Sequence, residues 1–390
     1  MSRINVMQPW LGEEEVTAVA EVIRSGWVAQ GPRVAEFERA FADRQQVGYA
    51  VATSSCTTAL HLALVVAGVR AGDDVVVPSF SFIATANAAT YLGARPVFAD
   101  VDPATGNVSP ETLRAALTGR TRAVIVVDQG GVPVDLVALR DVCDPRGVAV
   151  VEDAACAIGS TYRGRPVGAG ADVTAWSFHP RKLLTTGEGG MLTTRSAEWA
   201  SQARRLREHG MSVSAADRHA QVLAPAEAYL EVGFNYRMTD LQAAVGLVQL
   251  RRLDDVVRRR RELAARYHRA LDGTGLRAVR DPAWGTTNYQ SFWVEVPPEH
   301  PVDRDGLLAR LAEAGISARR GIMAAHRQPA YAGRDGVRTD LSTTERLTDR
   351  TLILPLFHEM TEDQLDRVVT VLTGTVVPSS ARLATSGREG

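Results

Sequence analysis

An apolar strand, a polar loop and a second strand follow one another in residues 174–190, which read TAWSFHPRKLLTTGEGG. The first strand runs into Ser177, the loop carries His179, Pro180 and Lys182, and TTGEGG turns into the next strand. In α/β proteins, ligands bind at the carboxyl ends of parallel strands. The loop therefore predicts a ligand site around Lys182. Its Ser, Thr and Gly residues favour a phosphate or cofactor cradle over a loop in solvent.

Lysine is almost absent from the rest of the chain. Of the 44 basic residues 43 are arginine, and Lys182 is the single lysine. Arginine can replace lysine in surface charge and ion pairs, but its guanidinium stays protonated and cannot act as a nucleophilic amine. The count alone leaves chance and chemistry equally open. Together with its loop, it indicates a site that needs an amine able to form a Schiff base.

Short apolar runs alternate with helical segments on both sides of this loop, from Val47 to Thr194. Several runs are continuous Val/Ile stretches, as expected for strands that helices cover on both faces. The pattern predicts an α/β fold with a mostly parallel sheet. The predicted strands are Gly48–Ala52, Asp74–Pro78, Pro96–Asp100, Ala123–Val127, Val148–Asp153, Val173–Phe178 and Gly190–Thr193. The predicted helices are Thr57–Ala67, Ala84–Leu92, Pro110–Leu117 and Val134–Cys143.

The second half of the chain predicts a smaller unit. Residues 197–236 read as a polar, irregular stretch, after which Thr239 and Gln242 form a capping box. That box opens a helix through Leu250, which continues as the charged helix Arg251–Leu271. The remaining predicted elements, strand Ser291–Val296, helix Asp303–Ala314 and a last helix capped by Thr361–Gln364, form an α+β unit. The predicted division is a large domain in residues 1–250, a small domain in 251–376 and a flexible tail in 377–390.

Composition narrows the class of protein. The 390 residues carry a formal net charge of -1, and 45% are hydrophobic. This charge balance does not favour binding to nucleic acid or to a membrane surface. No apolar run approaches the ~20 residues of a membrane span. Residues 1–15 lack the pattern of a signal peptide. Cys56, Cys143 and Cys156 are too few and unpatterned for a disulfide framework or a zinc site. We therefore expect a cytoplasmic enzyme without a metal.

A second polar segment ends another predicted strand, in residues 148–160, VAVVEDAACAIGS. The Asp153 carboxylate at the end of a buried strand needs a cation or a hydrogen-bond donor. One fitting partner is the protonated ring nitrogen of pyridoxal phosphate, which acts as an electron sink while that proton is held. The small Ala154 and Ala155 leave room for a flat ring. A cap for the following turn explains Asp153 equally well on this segment alone.

Hydroxyl residues follow the first predicted strand, in residues 53–62, TSSCTTALHL. Thr57 and the backbone N–H groups at the start of the next helix would hold a phosphate. Ordinary N-capping by Ser55 or Thr57 explains this segment better when it is taken alone.

Two aromatic residues follow the next strand, in residues 78–87, PSFSFIATAN. Phe80 or Phe82 could stack on a cofactor ring. An aromatic residue at the end of a strand more often belongs to the core.

Together and in this order, the four segments resemble the DegT/StrS-type family of pyridoxal-phosphate-dependent aminotransferases that act on sugars. The similarity runs from PWLGEEE at residues 9–15 to LPLFHEMTEDQ at residues 354–364. It is most specific in SFHPRKLLTTGEGG and GFNYRMTDLQAAVG. The family has the aspartate aminotransferase fold, fold type I. That fold implies a large domain with helices on both faces of a mostly parallel sheet, and a smaller α+β domain.

The resemblance implies a role for each matching residue around the cofactor ring. Lys182 matches the lysine that binds pyridoxal phosphate covalently, and Asp153 matches the partner of the ring nitrogen. Phe82 matches the aromatic residue stacked on the ring, which leaves Phe80 for the core. The implied cofactor-binding set is Cys56, Thr57, Phe82, Asp153, Cys156, Ser177, Lys182 and Asn235.

At the phosphate end, Thr57 and Ser177 match the hydroxyl ligands, and the backbone of Cys56 lies nearby. Asn235, in GFNYRMTD, resembles the residue that reaches the phosphate of the neighbouring subunit. The resemblance therefore implies a homodimer with shared active sites.

Three positions depart from the family pattern. Cys156 stands where Gln is common near the ring hydroxyl of the cofactor, and a thiol is a weaker hydrogen-bond partner. Cys56 stands where Gly is frequent. Asp128 precedes Gln129 where the family often has His.

The implied reaction has two half-reactions. Glutamate or glutamine donates an amino group, which passes to the keto carbon of a nucleotide-linked keto-deoxysugar such as a dTDP-4-keto-6-deoxyhexose. Lys182 would act as covalent anchor and general acid/base, so we expect its pKa to be lowered in the site. DAACAIGS and RRGIMAAHRQP favour 4-amination over 3-amination, in amino-sugar biosynthesis for an antibiotic or other secondary metabolite. The substrate-side candidates are Arg207, His209, Tyr236, Arg237, Arg320 and His326.

Two other functions stay open at this point. One is an aminotransferase of the same fold that acts on a keto-cyclitol or forms an aminated aromatic. The other is a degenerate relative that binds the cofactor for regulation only. A sugar dehydratase of this fold is disfavoured, because those proteins have lost the lysine that Lys182 matches.

Overall fold

A computed structural model of the chain describes residues 3–213, 226–333 and 339–374. The predicted tail, residues 377–390, lies outside the described residues. Within these ranges, no helix is both long and apolar enough to cross a membrane. The same ranges contain no group of three His, Cys, Asp or Glu side chains that could hold a metal ion.

Strands in the described residues build one large and two small sheets. The strands are β1 (Tyr49–Thr53), β2 (Asp74–Pro78), β3 (Arg95–Ala99), β4 (Thr121–Val127), β5 (Ala149–Asp153), β6 (Thr161–Tyr162), β7 (Arg165–Pro166), β8 (Val173–Ser177), β9 (Gly190–Thr194), β10 (Arg277–Ala278), β11 (Gly285–Thr286), β12 (Phe292–Glu295), β13 (Arg319–Arg320) and β14 (Thr351–Leu354). The large sheet has the order β1-β9-β8-β5-β4-β2-β3. Within it only β9 runs against the others, since it is antiparallel to both β1 and β8. The predicted mostly parallel sheet is therefore confirmed.

Helices pack against this sheet. The described helices are α1 (Glu13–Ser25), α2 (Pro32–Gln45), α3 (Cys56–Val66), α4 (Ala84–Tyr91), α5 (Pro110–Ala116), α6 (Leu136–Cys143), α7 (Ala197–Leu206), α8 (Asp240–Leu271), α9 (Arg304–Glu313), α10 (Ser342–Arg350) and α11 (Glu362–Thr373).

Alternate residues of one strand enter different cores, so both faces of the sheet are covered. On β2, Val75 and Val77 pack with residues of α3, α4 and α7, whereas Val76 packs with residues of α5 and α6. This explains the continuous Val/Ile runs, because a strand buried on both faces has no solvent side to mark with polar residues. The prediction of helices on both faces is confirmed.

The expectation of an irregular stretch over residues 197–236 is wrong at its start. Residues Ala197–Leu206 form α7, and the side chain of Ser196 caps the helix by accepting a hydrogen bond from the N–H of Trp199. Ala200, Ala203 and Leu206 are buried at helical spacing. Polar residues on the opposite face hide this spacing in the sequence.

The long helix α8 connects two cores. The predicted Thr239–Gln242 capping box opens it, and the helix runs without a break to Leu271. Ala243 and Leu253 pack in a core beneath the large sheet, whereas Leu263 packs with the small domain. The predicted division at residue 250 falls inside this helix and stays a prediction.

The small domain is built on an antiparallel sheet with the order β10-β12-β14-β13. Its core joins residues of α8, α9 and α11 to β12 and β14. The predicted strand, helix and capped last helix are confirmed here as β12, α9 and α11. The sequence did not predict β14, whose four residues directly follow α10. The predicted α/β fold with a smaller α+β unit is confirmed.

Candidate active site

A cavity of about 510 Å³ opens at the carboxyl edge of the large sheet. Its walls come from the ends of β4, β5 and β8, from the start of α3 and from β13 and β14 of the small domain. This is the edge at which the sheet topology predicts a ligand site. The predicted site residues that line it are Cys56, Thr57, Phe82, Asp153, Cys156, Ser177, Lys182 and Arg320.

Lys182 reaches the cavity from the loop between β8 and β9. Phe178 closes this loop: its N–H donates to the Gly189 carbonyl at 2.9 Å, and its carbonyl accepts from the Thr186 N–H at 3.0 Å. The Nζ atom of Lys182 lies 3.1 Å from Sγ of Cys156. The single lysine is thus held inside the cavity rather than in open solvent.

The pKa of Lys182 lies above its ordinary value, in contrast to the expected lowering. Burial favours the neutral amine and lowers the pKa, but the charges of Cys156, Cys56 and Asp153 favour the ammonium ion by more. Three groups that become negative when ionised therefore surround one amine. A partner that engaged these neighbours would lower the pKa of the amine and so favour its nucleophilic, neutral form.

Asp153 ends β5 and is only 4% exposed. One carboxyl oxygen accepts from the Thr85 hydroxyl at 3.0 Å, and the other accepts from the Ala155 N–H at 3.2 Å. Burial raises the pKa of Asp153, although these hydrogen bonds and Lys182 act against it. The bond to Ala155 is the predicted cap, yet the carboxyl also lines the cavity. A cation placed there would stabilise the carboxylate.

The start of α3 forms the opposite end of the cavity. Ser55 and Thr58 form the N-cap, since the Thr58 N–H donates to Oγ of Ser55 at 3.2 Å and the Ser55 N–H donates to Oγ1 of Thr58 at 3.1 Å. Of the two predicted N-cap candidates, Ser55 is therefore the one that caps the helix. Thr57 lines the cavity. A Cβ on Gly190 would lie 2.4 Å from the Ser55 backbone, so only glycine lets β9 approach this helix end.

The two candidate aromatic residues separate clearly. Phe80 is 1% exposed and belongs to the core, whereas Phe82 is 61% exposed and lines the cavity. Cys56 lies beside Asp153, with 4.0 Å between Sγ and Oδ1, and burial raises the pKa of its thiol.

Asn235 and His209 lie outside the cavity of their own chain. Both are exposed, and an isolated bridge joins Glu208 to Asn235. The N–H of His209 donates to the Phe234 carbonyl at 2.9 Å. Arg237 is half-buried in the same segment and does not line the cavity either. A single chain therefore does not bring these predicted residues to Lys182.

Three further substrate-side candidates make contacts elsewhere. The hydroxyl of Tyr236 lies 3.2 Å from Nδ1 of His61. His326 lies between Oγ of Ser79 at 2.6 Å and a carboxyl oxygen of Glu345 at 3.1 Å. Arg207 forms a buried ion pair with Glu38 beside β1. These contacts engage the three side chains away from the cavity.

Sequence reasoning missed several residues that line the cavity. Thr85 stands in the PSFSFIATAN segment, so a hydroxyl one helical turn after Phe82 was an available signal. Arg181 stands beside Lys182 in the quoted loop. Gln290 and Arg319 carried no signal, because only the packing of the small domain against the sheet edge brings them to the cavity.

A model of the DegT/DnrJ/EryC1/StrS aminotransferase family matches residues 9–373. The chain belongs to this family. The aminotransferase is 40% identical to the aminotransferase TlmJ from Streptoalloteichus hindustanus, with a TM-score of 0.87 over 95% of this chain and 98% of that one. It is 32% identical to DesV from S. venezuelae, with a TM-score of 0.87 over 96% and 98% of the two chains.

A third relative connects the family to its cofactor. The putative sugar aminotransferase Spr1654 from Streptococcus pneumoniae has structures in a PMP form and a PLP form. The aminotransferase is 26% identical to the PMP form, with a TM-score of 0.89 over 96% of this chain and 98% of that one. The predicted family, fold type I and cofactor are confirmed. The chain is a pyridoxal-phosphate-dependent sugar aminotransferase.

Proposed function

We propose that the aminotransferase transfers an amino group from glutamate or glutamine to a nucleotide-linked keto-deoxysugar, first of all a dTDP-4-keto-6-deoxyhexose. One observation carries the proposal: the only lysine amine, a buried carboxylate and a helix N-terminus meet in one cavity. Bound pyridoxal phosphate supplies an electron sink for the carbon that carries the transferred nitrogen. A degenerate cofactor-binding protein has no need of this complete set.

The residues of the cavity fit the cofactor. Asp153 offers a buried carboxyl for a cationic ring nitrogen: burial raises the pKa of this carboxyl, and a cation beside it would favour the ionised form. The N-terminus of α3, with Thr57 and Ser177, offers N–H and hydroxyl donors for a phosphate. Phe82 offers an exposed ring at the wall, and Lys182 offers the amine for covalent attachment.

Lys182 also moves protons in this proposal. Its Nζ takes a proton from the donor carbon in the first half-reaction and returns one to the sugar carbon in the second. Cys156, 3.1 Å from Nζ, accepts a hydrogen bond from the amine while the amine is free.

Arginines at the mouth of the cavity support a nucleotide-linked substrate over a cyclitol. Arg181, Arg319 and Arg320 line the cavity and are exposed. Arg320 pairs with Asp305 at 3.3 Å, while Arg181 and Arg319 form no ion pair with a carboxylate of the described residues. Guanidinium groups bind phosphate oxygens in a bidentate manner. A diphosphate between nucleoside and sugar would meet them.

The preference for 4-amination rests on the segments DAACAIGS and RRGIMAAHRQP alone. The antibiotic or other secondary-metabolite role likewise follows from the family resemblance. A relative at 25% identity, PseC from Helicobacter pylori, takes part in the biosynthesis of pseudoaminic acid and supports a sugar substrate.

Cofactor absorbance tests the reaction, and mass spectrometry identifies the substrate. We expect glutamate or glutamine to bleach the band of the bound cofactor and a keto sugar to restore it. Among nucleotide-linked 3-keto and 4-keto sugars, the 4-keto sugar should gain the amino group fastest. An absorbance band that no amino donor bleaches would refute transamination. Amination of a cyclitol but of no nucleotide-linked sugar would refute the proposed substrate class. Arg319→Ala should raise KM for the sugar about tenfold and leave KM for glutamate unchanged, whereas the exposed control Arg114→Ala should change neither.

We propose further that two chains share each active site, with Asn235 reaching the phosphate end in the partner subunit. Asn235 is exposed, as such a role requires. An apolar surface lies near it: Tyr229 is 64% exposed, Leu230 63% and Val232 91%. Exposed apolar surface of this kind marks an interface, and a second copy is the partner that the family implies.

Mixing two inactive variants tests this arrangement. In a mixed dimer of Lys182→Ala and Asn235→Asp chains, one pocket carries both changes and the other carries neither. We expect activity to reappear after subunit exchange. No recovery, with exchange verified by native mass spectrometry, would remove Asn235 from the shared site.

A further inference from the structure

The backbone on both sides of Lys182 is bonded to one side-chain amide, that of Gln290. Its Oε1 accepts from the Leu183 N–H at 3.0 Å, and its Nε2 donates to the Arg181 carbonyl at 2.7 Å. Gln290 is 8% exposed, so water competes little for these bonds. The amide thus spans the catalytic residue and fixes the residue before it and the residue after it.

The side-chain amide of Asn288, two residues before Gln290, bonds the loop of Cys156 on the opposite wall of the cavity. Nδ2 of Asn288 donates to the carbonyls of Cys156 at 2.9 Å and Ile158 at 2.8 Å. Its Oδ1 accepts from the backbone N–H of Gln290 at 2.7 Å. Every polar atom of the Asn288 amide is therefore used, and Asn288 is fully buried. One short segment connects the loop of Lys182 to the loop of Cys156.

The segment that carries Asn288 and Gln290 is held in turn by Arg260 of α8. Arg260 donates to the carbonyls of Tyr289 and Gln290 at 2.6–3.0 Å. The N–H of Ser291 donates to the Gly130 carbonyl at 3.0 Å. Because the segment has little freedom to move, its side-chain amides act as fixed points for the two loops.

We propose that Gln290 and Asn288 are positioning residues, which hold Lys182 at a fixed distance from Cys156 and the cofactor site. Proton transfer requires the amine within hydrogen-bond reach of the reacting carbon, and a displacement of about 1 Å can lower a rate by about 10²-fold. The bonds of Phe178 close the loop at its base, and Gln290 adds the bonds that hold the two residues flanking Lys182. Neither residue needs to touch the reacting atoms for this effect.

Gln290→Met tests the clamp, because methionine has a similar length and makes neither bond. The matched control is Gln249→Met, which removes a buried amide that bonds the Trp10 carbonyl at 2.7 Å and the Glu15 carboxyl at 2.8 Å, away from the cavity. In the full-length enzyme, we expect Gln290→Met to speed hydrogen exchange of the Leu183 amide at least tenfold. We also expect kcat to fall about 10- to 100-fold with KM nearly unchanged. The control should change neither.

Gln290→Glu gives a second test that does not depend on the folding of the first variant. A carboxylate accepts from the Leu183 N–H but repels the Arg181 carbonyl, whereas a protonated carboxyl can donate to that carbonyl. Relative to the wild type at each pH, both exchange protection and kcat should recover as the pH falls. An unchanged ratio across the pH range, or a Gln290→Met variant that matches its control, would overturn the proposal.

Discussion

Lys182 and Arg260 both reach the cavity, but their surroundings differ. Arg260, on α8, is 1% exposed and donates to the carbonyls of Tyr289, Gln290 and Leu356. Among the described residues, the Lys182 amine donates one hydrogen bond, to the thiol of Cys156. Burial of a basic group therefore does not mark chemistry here. The partners of the two groups differ instead: backbone carbonyls hold Arg260, whereas the Lys182 amine contacts a thiol and lines the cavity.

The largest expected effect separates lysine from arginine at position 182. Lys182→Arg keeps the charge but loses the nucleophilic amine, so we expect turnover to fall at least about 10⁴-fold. The melting temperature should stay close to that of the wild type. Arg114→Lys, at an exposed position outside the cavity, is the control, and it should keep turnover and fail to rescue Lys182→Arg. If Lys182→Arg kept more than about one hundredth of wild-type turnover, the claim that the reaction needs the lysine amine would be wrong.

Arg260 should show the opposite pattern. Arg260→Met leaves three buried carbonyls without their donor, so we expect unfolding free energy to fall by about 3–5 kcal/mol in chemical denaturation. The folded fraction should still bind the cofactor covalently. Arg258→Met, an exposed position on the same helix, should change stability by less than about 0.5 kcal/mol. An Arg260→Met variant as stable as the wild type would contradict this structural role of Arg260.

The neighbouring carboxyls of β5 extend the comparison to acidic groups. Asp153→Asn keeps the shape but cannot hold the proton of a cationic ring nitrogen, so we expect turnover to fall by about 10²-fold, equivalent to ~3 kcal/mol. Glu152→Gln, one residue away on the opposite face of the strand, is the control and should change turnover little. If Asp153 is only a cap, stability should drop by about 1 kcal/mol and turnover should stay the same.

The smallest expected effect concerns Glu152 and pH. Burial raises the pKa of Glu152 to about 7, although hydrogen bonds from Thr174 and Gly168 act against it. The folded state therefore binds a proton more tightly than the unfolded state. The stability that this proton contributes is full below the ordinary pKa of 4.5 and is lost as the pH rises through about 7. Relative to Glu152→Gln, the wild type should lose about 2–3 kcal/mol of unfolding free energy between pH 5 and about 8. If the difference in unfolding free energy between wild type and Glu152→Gln stayed the same at all pH values, this account would be contradicted.

The sequence predicted the parts of the fold that carry a local signal. Continuous Val runs gave the parallel strands, and the Thr239–Gln242 box gave the start of α8. Polar residues hid α7, and β14 follows α10 directly, with no turn residues between them to mark where a strand begins. In these cases tertiary packing, rather than local preference, sets the structure.

The residues of the candidate site likewise fall into those that a local sequence pattern predicted and those that it did not. Asp153 and Lys182 follow strands with clear patterns, so their meeting at one sheet edge could be predicted. Gln290 and Arg319 come from the small domain, and no spacing in the sequence shows which of its residues will face that edge. The raised pKa of Lys182 could not be predicted either, because it depends on how closely Cys156 lies to the amine.

Borohydride reduction of the enzyme with its cofactor tests the central claim most directly. Because the chain has a single lysine, one modified peptide can be assigned without ambiguity by mass spectrometry. We expect reduction to fix the cofactor to the peptide that contains Lys182, in wild type and in Arg260→Met, and to fix none in Lys182→Arg. Covalent capture in Lys182→Arg, or an unmodified Lys182 peptide in active wild-type enzyme, would contradict the account.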